Sequence, residues 1–397
     1  MSVGSVNIKV INKSLFTDTS SYDMVIVLER EGVRVAEKVV KYSVKPGKTD
    51  TLKNVIDMPT IAGEYVVTAS LLTSANYVWG RQGHEIAFGQ GVFVVDCRTD
   101  FADPSSEEIQ VIHGEENIGV RGEHFEAIFS KYAHGMQSYV YGGKEMFKAA
   151  PKPNFWRAPT DNDYGNGMPA RYGQWKLASL YQNRANRGEG KSNPEVIENR
   201  DNVEITYYLD LATAPAARVE LKYVVYANGV VRVKLHYDPV EGLSEMPEFG
   251  VMFKMTADYD RLEWYGNGPA ETYCDRKRGA KLGIFKDTVE GRMSAYMVPQ
   301  ECGNITDVRY AKVINEKGRG LMFAGDSIGF SALPYSPHEI ESATHPNELP
   351  PILYTYVRVD KEQMGVGGDN SWGARTHDEY LVDVSEPIDF EFSFVGV

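Results

Sequence analysis

Cysteine is scarce: Cys97, Cys274 and Cys302 are the only three in 397 residues, widely spaced and in no CxxC or Cys/His ligand pattern. Neither a disulfide framework nor a zinc site is therefore indicated, and reduced thiols are expected. The eight histidines form no HExxH and no H-x-H pair, and no GxSxG, phosphate-binding loop or dinucleotide fingerprint occurs. No metal site and no cofactor are expected within the chain. Positive charge is also short, with 42 Lys and Arg against 55 Asp and Glu, a net charge of −13. The clustered cations that bind nucleic-acid phosphates or an anionic membrane are missing, so neither is an expected partner. No stretch approaches the roughly 18 apolar residues that span a bilayer. The N-terminal MSVGSVNIKV has no basic segment leading into an apolar one. A missing signal says little about compartment, because a chain can begin partway through a longer gene product; the expectation is cytoplasmic. Repeats of roughly 20 to 50 residues and low-complexity tracts are absent, which leaves solenoids and propellers unsupported.

What the chain does have is aromatics: 24 Tyr and 16 Phe, with 42% apolar and 24% charged residues, describe a globular, strand-rich protein whose rings fill cores. Its length allows two well-buried cores. Strand alternation begins at once, with Val6, Ile8 and Val10 on one face, then Val25 and Val27 opposing Met24, Ile26 and Leu28. It continues through Val33 and Val35 and through Tyr65, Val67, Ala69 and Leu71, with turns at Lys45–Lys48 and Ala62-Gly63. About seven short strands in this stretch predict an immunoglobulin-like β-sandwich over residues 1–97. The polar, Pro- and Ser-bearing segment 98–108 reads as a linker, and 109–397 as a second all-β domain. Val219–Val225 and Val231–Tyr237 form a hairpin across Asn228-Gly229. Only Pro169–Arg187, with Tyr172, Trp175, Leu177, Ala178, Leu180 and Tyr181, reads as a short helix, a lid on a sheet.

Four polar and glycine-rich blocks stand out. Phe155–Gly167, FWRAPTDNDYGNG, offers oxygen donors at Asp161, Asn162 and Asp163 beside two flat aromatic faces, as a sugar or cation site would. The favoured reading is structural, the Asx cluster capping turns and the following helix while Arg157 pairs an Asp. A calcium loop fails for want of a bidentate Glu at the right spacing. Trp264–Arg276, WYGNGPAETYCDR, carries Glu271 and Asp275. A glycosidase pair needs two carboxyls about 5 to 9.5 Å apart across a sugar, which proximity in sequence does not establish, and a salt bridge within a turn is the plainer reading. Pro299–Asn304, PQECGN, is a third polar turn. In Met364–Gly373, MGVGGDNSWG, glycines surround Trp372 in what must be a loop. Trp372 either plugs the end of its own sandwich or presents a flat face to the C–H face of a pyranose.

These four blocks, in this order, resemble those of the C-terminal small-chain domain of lacZ-type β-galactosidases, of glycoside hydrolase family 2. Upstream, SLFTDTS, AGEYVVTASL and GHEIAFGQ resemble the immunoglobulin-like domain that precedes it, so the resemblance covers nearly the whole chain. It implies an all-β fold, an immunoglobulin-like sandwich followed by a large β-supersandwich similar to galactose mutarotase. It also implies that the catalytic glutamates and the magnesium and sodium ligands lie in or near a TIM barrel outside this chain, so no catalytic residue is carried over. What carries over is Trp372, in the DNSW block, at the mouth of the active site where sugar stacks; Asp369, Asn370 and Ser371 would shape that loop. The FWRAPTDND block has a structural role in this family. Implied partners are a galactoside substrate, the barrel and other N-terminal domains, and further copies in a homo-oligomer. Heterodimeric members have a separate small chain that begins near the supersandwich, whereas this chain also includes the immunoglobulin-like part and reads as a fragment of a longer enzyme, inactive alone. Two alternatives are a free-standing carbohydrate-binding module and an aldose epimerase, for which His338 and Glu339 are the adjacent candidates to exchange protons at an anomeric carbon.

Overall fold

A computed structural model of the protein describes residues 5–95, 108–370 and 372–397. The chain divides into two compact units, residues 1–100 and 101–397. Cys97 and the linker read at 98–108, apart from Glu108, lie outside the described residues.

In the first unit, β1 (Ser5–Ile11) pairs with β4 (Thr49–Asp57) in a two-stranded sheet. Against it lies a four-stranded antiparallel sheet in the order β3 (Val33–Val40), β2 (Tyr22–Arg30), β5 (Gly63–Thr73), β6 (Glu85–Val95). The period-2 pattern does what it should: Met24, Ile26 and Leu28 are buried with Val67 and Tyr65, while Val25 and Val27 point to the other face. Two facing sheets make the immunoglobulin-like sandwich. Six strands are present among the described residues where about seven were expected. Val33 and Val35 extend β3 as expected but are exposed.

The second unit is also all-β, with every described pairing antiparallel. A five-stranded sheet is formed by β7 (Gln110–His113), β8 (Asn117–Arg121), β9 (Phe125–Ser130), β10 (Met136–Tyr141) and β11 (Lys144–Glu145). After β12 (Ala149–Asn154) come helices α1 (Asp161–Asn166) and α2 (Met168–Leu180). The chain continues through β13 (Gln182–Arg184), β14 (Glu195–Glu198), β15 (Asn202–Leu211), β16 (Arg218–Tyr226), β17 (Val231–Tyr237) and β18 (Glu248–Thr256). It ends with β19 (Arg261–Gly268), β20 (Lys281–Thr288), β21 (Ile305–Ile314), β22 (Gly320–Leu333), helix α3 (Pro337–Ser342), β23 (Tyr354–Gln363) and β24 (Ile388–Gly396). From β12 onward the strands build one branched thirteen-stranded sheet whose main path is β12-β18-β23-β22-β24-β17-β16-β15-β13. This is the supersandwich.

Aromatics fill the space between its sheets, as their number suggested. Tyr139 of β10 meets Phe394 of β24 edge to face at 5.3 Å, and Phe129 meets Tyr223 at 5.4 Å. The β16–β17 hairpin turns at Gly229, whose φ of 87° admits a glycine readily. Helix α2 stops at Leu180, short of the expected Arg187, because Gln182–Arg184 pairs with β15 instead. It covers the sheet through Trp175, which is buried against Phe155 and Tyr237. Cys274 and Cys302 are free thiols, pushed up to about 11 and about 12 by burial. Among the described residues no helix is long and apolar enough to cross a membrane.

Candidate functional site

The loop after β23 is assembled from segments far apart in sequence. Its exposed element is Trp372, 87% accessible, so the ring does not plug its own sandwich. Its amide donates to Asn370 Oδ1 at 2.9 Å, an Asx-type turn, and Asp369 Oδ1 lies 2.8 Å from His377 Nε2. Ser371 lies outside the described residues.

Helix α1, which opens with the DND run, holds this loop. Thr160 and Asp163 form a reciprocal capping box, and Asp163 Oδ2 also accepts from Arg157 Nη1 at 2.6 Å, both side chains buried. Arg157 Nη2 donates to Gly365 O at 3.0 Å, so one guanidinium ties helix to loop. Burial opposes the charge on Arg157, but Asp163 more than offsets it and the pKa is raised. Asn162 works in both directions: Nδ2 donates to Ala374 O at 2.8 Å, and Oδ1 accepts from Gly373 N at 3.2 Å. Gly373 has φ 95°, and a Cβ there would stand 2.4 Å from Gly165 C, so two backbones touch where only glycine fits. From the second block, Asp275 Oδ2 accepts from Gly367 N at 2.7 Å. From the third, Gln300 Oε1 accepts from Asp161 N at 3.0 Å. All four blocks meet around one loop. The structural reading of the Asx cluster describes what is observed. Asn162→Ala is expected to weaken the loop by about 1–2 kcal/mol, seen as about tenfold faster amide exchange over 364–376 with the β-sheet cores unchanged.

Beneath the loop lies a buried ionic network that sequence reading did not find. Arg358 of β23 donates to Glu248 Oε2 and Glu301 Oε1, each at 2.6 Å, and to Ser331 Oγ at 2.9 Å. Glu248 also accepts from Asn154 and Gln363, at 2.7 and 2.8 Å. Within the PQECGN segment Gln300 and Glu301 are buried. Burial raises the pKa of Glu248 and Arg358 pulls against it, while Arg358 itself is raised because Glu248 and Glu301 outweigh its desolvation. Next along β23, Asp360 is buried with neither carboxyl oxygen hydrogen-bonded among the described residues. It sits between Gly250 of β18 and Gly329 of β22, in register with both; a Cβ on Gly329 would be 2.1 Å from Asp360 Oδ1. Burial first, then Glu248 and Glu301, push its pKa well above the ordinary carboxylate range, with Arg358 opposing.

A folded pKa above the unfolded value of about 3.9 means that the stabilising contribution is complete below that value and is lost as pH rises through the folded pKa. Asp360→Asn, isosteric and uncharged, is therefore expected to gain stability relative to the parent as pH rises from about 5 to about 8. Thermal midpoints at both pH values check this. An unchanged difference would mean that Asp360 is ionised at neutral pH in the fold.

The remaining candidates are occupied elsewhere. Glu271 pairs with Arg276 and accepts from Gly303 N at 2.6 Å, the salt bridge within a turn that was expected, whereas Asp275 reaches the Trp372 loop instead. Glu339 caps α3 through Ser336, and burial, followed by Lys152 and Lys176, lowers His338 to about 4. Neither ring nitrogen of His338 has a hydrogen bond among the described residues. This gives no acid–base pair set on a sugar. Among the described residues no group of three or more His, Cys, Asp or Glu side chains is gathered as a metal would need.

The family model for the beta galactosidase small chain matches residues 121–395, and that for beta-galactosidase domain 4 matches residues 8–93. The chain belongs to the β-galactosidase small-chain family. More particularly, it is 38% identical over 391 residues to the beta-galactosidase of Halalkalibacterium halodurans, covering 96% of this chain and 38% of that enzyme. It is 33% identical to the beta-galactosidase small subunit of Latilactobacillus sakei, covering 72% of this chain and 98% of that subunit. The chain thus spans little more than a third of the larger enzyme and nearly all of the small subunit's length. Among solved structures it is similar to a galactose mutarotase related enzyme from Lactobacillus acidophilus at TM-score 0.35 and 9% identity, covering 73% of this chain and 97% of that one. The all-β supersandwich is defined by its own strand order.

Proposed function

We propose that this chain is the non-catalytic C-terminal portion of a β-galactosidase that hydrolyses terminal β-D-galactosides such as lactose, that it completes the mouth of the active site, and that it is inactive alone. The observation that carries this reading is Trp372, 87% exposed on the fourth family block, a loop held directly by the first and second blocks, with the third bonded to helix α1. A rigid aromatic face offered to solvent suits the apolar face of a pyranose. The carboxylates brought together, Glu248 and Glu301, are buried around Arg358, where no sugar reaches them. Their role is structural. On this reading the catalytic glutamates and any magnesium or sodium belong to the barrel and N-terminal domains with which the chain assembles, in a cytoplasmic homo-oligomer without nucleic-acid or membrane partners.

The test is hydrolysis of a nitrophenyl galactoside by the purified chain, alone and mixed with the separately expressed part of the Halalkalibacterium halodurans enzyme that it does not match. Activity only on mixing is expected; activity of the chain alone would overturn the reading. In the mixture Trp372→Ala should lower kcat/KM about tenfold, the worth of roughly 1.4 kcal/mol of stacking, with the thermal midpoint unchanged. The exposure of Trp372 also favours a second reading, a free-standing carbohydrate-binding module. Galactose binding by the chain alone, abolished in Trp372→Ala, would select it.

A further inference from the structure

We propose that the immunoglobulin-like unit accepts one more extended β-strand along the free edge of β1, supplied by the part of a β-galactosidase that this chain does not match. The donor's identity rests on the function proposed above; the acceptor rests on the first unit alone. Among the described residues β1 pairs only with β4, and β6 is likewise an edge of its sheet. Between these edges runs a groove of about 380 Å³, lined by Val6, Ile8 and Val10 of β1, Leu71 of β5 and Ala87 and Gly89 of β6.

The groove is an opening into the core. Ala87, Gly89 and Gly91 pair in register with Leu71, Ala69 and Val67, which lie in or against the buried cluster, so they face inward. Yet all three are exposed, and a Cβ built on Gly89 or Gly91 meets nothing within 4 Å. Inward positions of a closed sandwich are covered by the opposite sheet about 10 Å away; here that sheet has two strands among the described residues. The seven residues of β1, at roughly 3.3 Å each, offer an edge about 20 Å long. Their unpaired amides and carbonyls on that side are a template for another chain. The fitting occupant alternates apolar and polar residues, and the small-residue wall of β6 leaves depth for large apolar side chains.

A second copy docking β1 against β1 would not fill the groove, because the inward side chains of each β1 already point into its own unit. The matched enzyme, by contrast, is far longer than this chain, which covers 38% of it. That length is ample to supply a strand.

Hydrogen exchange of the full chain tests this, alone and mixed with the unmatched part of the Halalkalibacterium halodurans enzyme. Alternate amides of Ser5–Ile11 should exchange about tenfold or more slowly in the mixture. Gly89→Leu, which fills the groove, should abolish that protection while β2 and β5 stay protected. Restored galactoside hydrolysis without protection of β1 overturns the strand acceptor and leaves the proposed function standing. Protection without hydrolysis supports the acceptor and overturns the function. Neither overturns both, and protection that grows with the concentration of the chain alone, with dimers in sedimentation, overturns the choice of donor.

Discussion

Arg358→Met should lower the thermal midpoint of the larger unit by roughly 6–15 °C, the counterpart of about 3–5 kcal/mol for leaving buried charge uncompensated. The guanidinium is the cation hydrogen-bonded to Glu248 and Glu301, both buried. Methionine keeps the volume and removes the charge. The direction with pH follows from Glu248: Arg358 pulls its pKa down against burial, so in the variant it rises further and the fold must take up a proton. The deficit is then largest at about pH 8 and shrinks towards about pH 5, where the carboxyls protonate more easily. Adding Glu248→Gln and Glu301→Gln should recover much of the loss, since a buried ionic triad can be exchanged for neutral groups with little net cost. A midpoint within about 2 °C of the parent would show that Arg358 does not hold this cluster.

Arg157→Met is the second large effect, and it differs by acting on two levels. It strands the Asp163 carboxylate, which is buried and caps α1, again at about 3–5 kcal/mol. It also removes the donor to Gly365 O at the base of the Trp372 loop. Amide exchange over 364–376 should therefore accelerate, and galactoside hydrolysis by the mixed enzyme should fall at least as far as in Trp372→Ala, about tenfold. Trp372→Ala, by contrast, leaves stability alone. Arg157→Lys should not rescue the loop, because an ammonium cannot fork to a carboxylate and a carbonyl in two fixed directions. Full activity in Arg157→Met would disconnect the buried pair from the loop's function.

The two buried arginines divide the labour beneath one loop. Arg157 connects α1 to the loop backbone, and Arg358 clamps β18 and the PQECGN turn to β23. Neither connection is local: Arg358 is 110 residues from Glu248, and Arg157 is 208 from Gly365. Such separations explain why four short blocks, unrelated as sequence, occur together.

Read from the sequence alone, the all-β class, the alternation that buries Met24, Ile26 and Leu28, the β16–β17 hairpin, the α2 helix and the glycine-rich loop bearing Trp372 were all legible. Each depends on periods of two or about 3.6 residues, or on turn chemistry, within a few neighbours. The family blocks were legible too, but not what they do together. Only the tertiary structure decided that Asp275 would reach the loop at Gly367 although Glu271 took the neighbouring arginine, and that Glu301 of the polar turn would be buried against Arg358. It likewise decided that Asp360 would face Gly250 and Gly329, and that β1 would pair, among the described residues, with β4 alone, beside Gly89 and Gly91. Burial, and with it the state of a carboxyl or the cover of a core, is set by which strands become neighbours, and no local pattern in the chain carries that information.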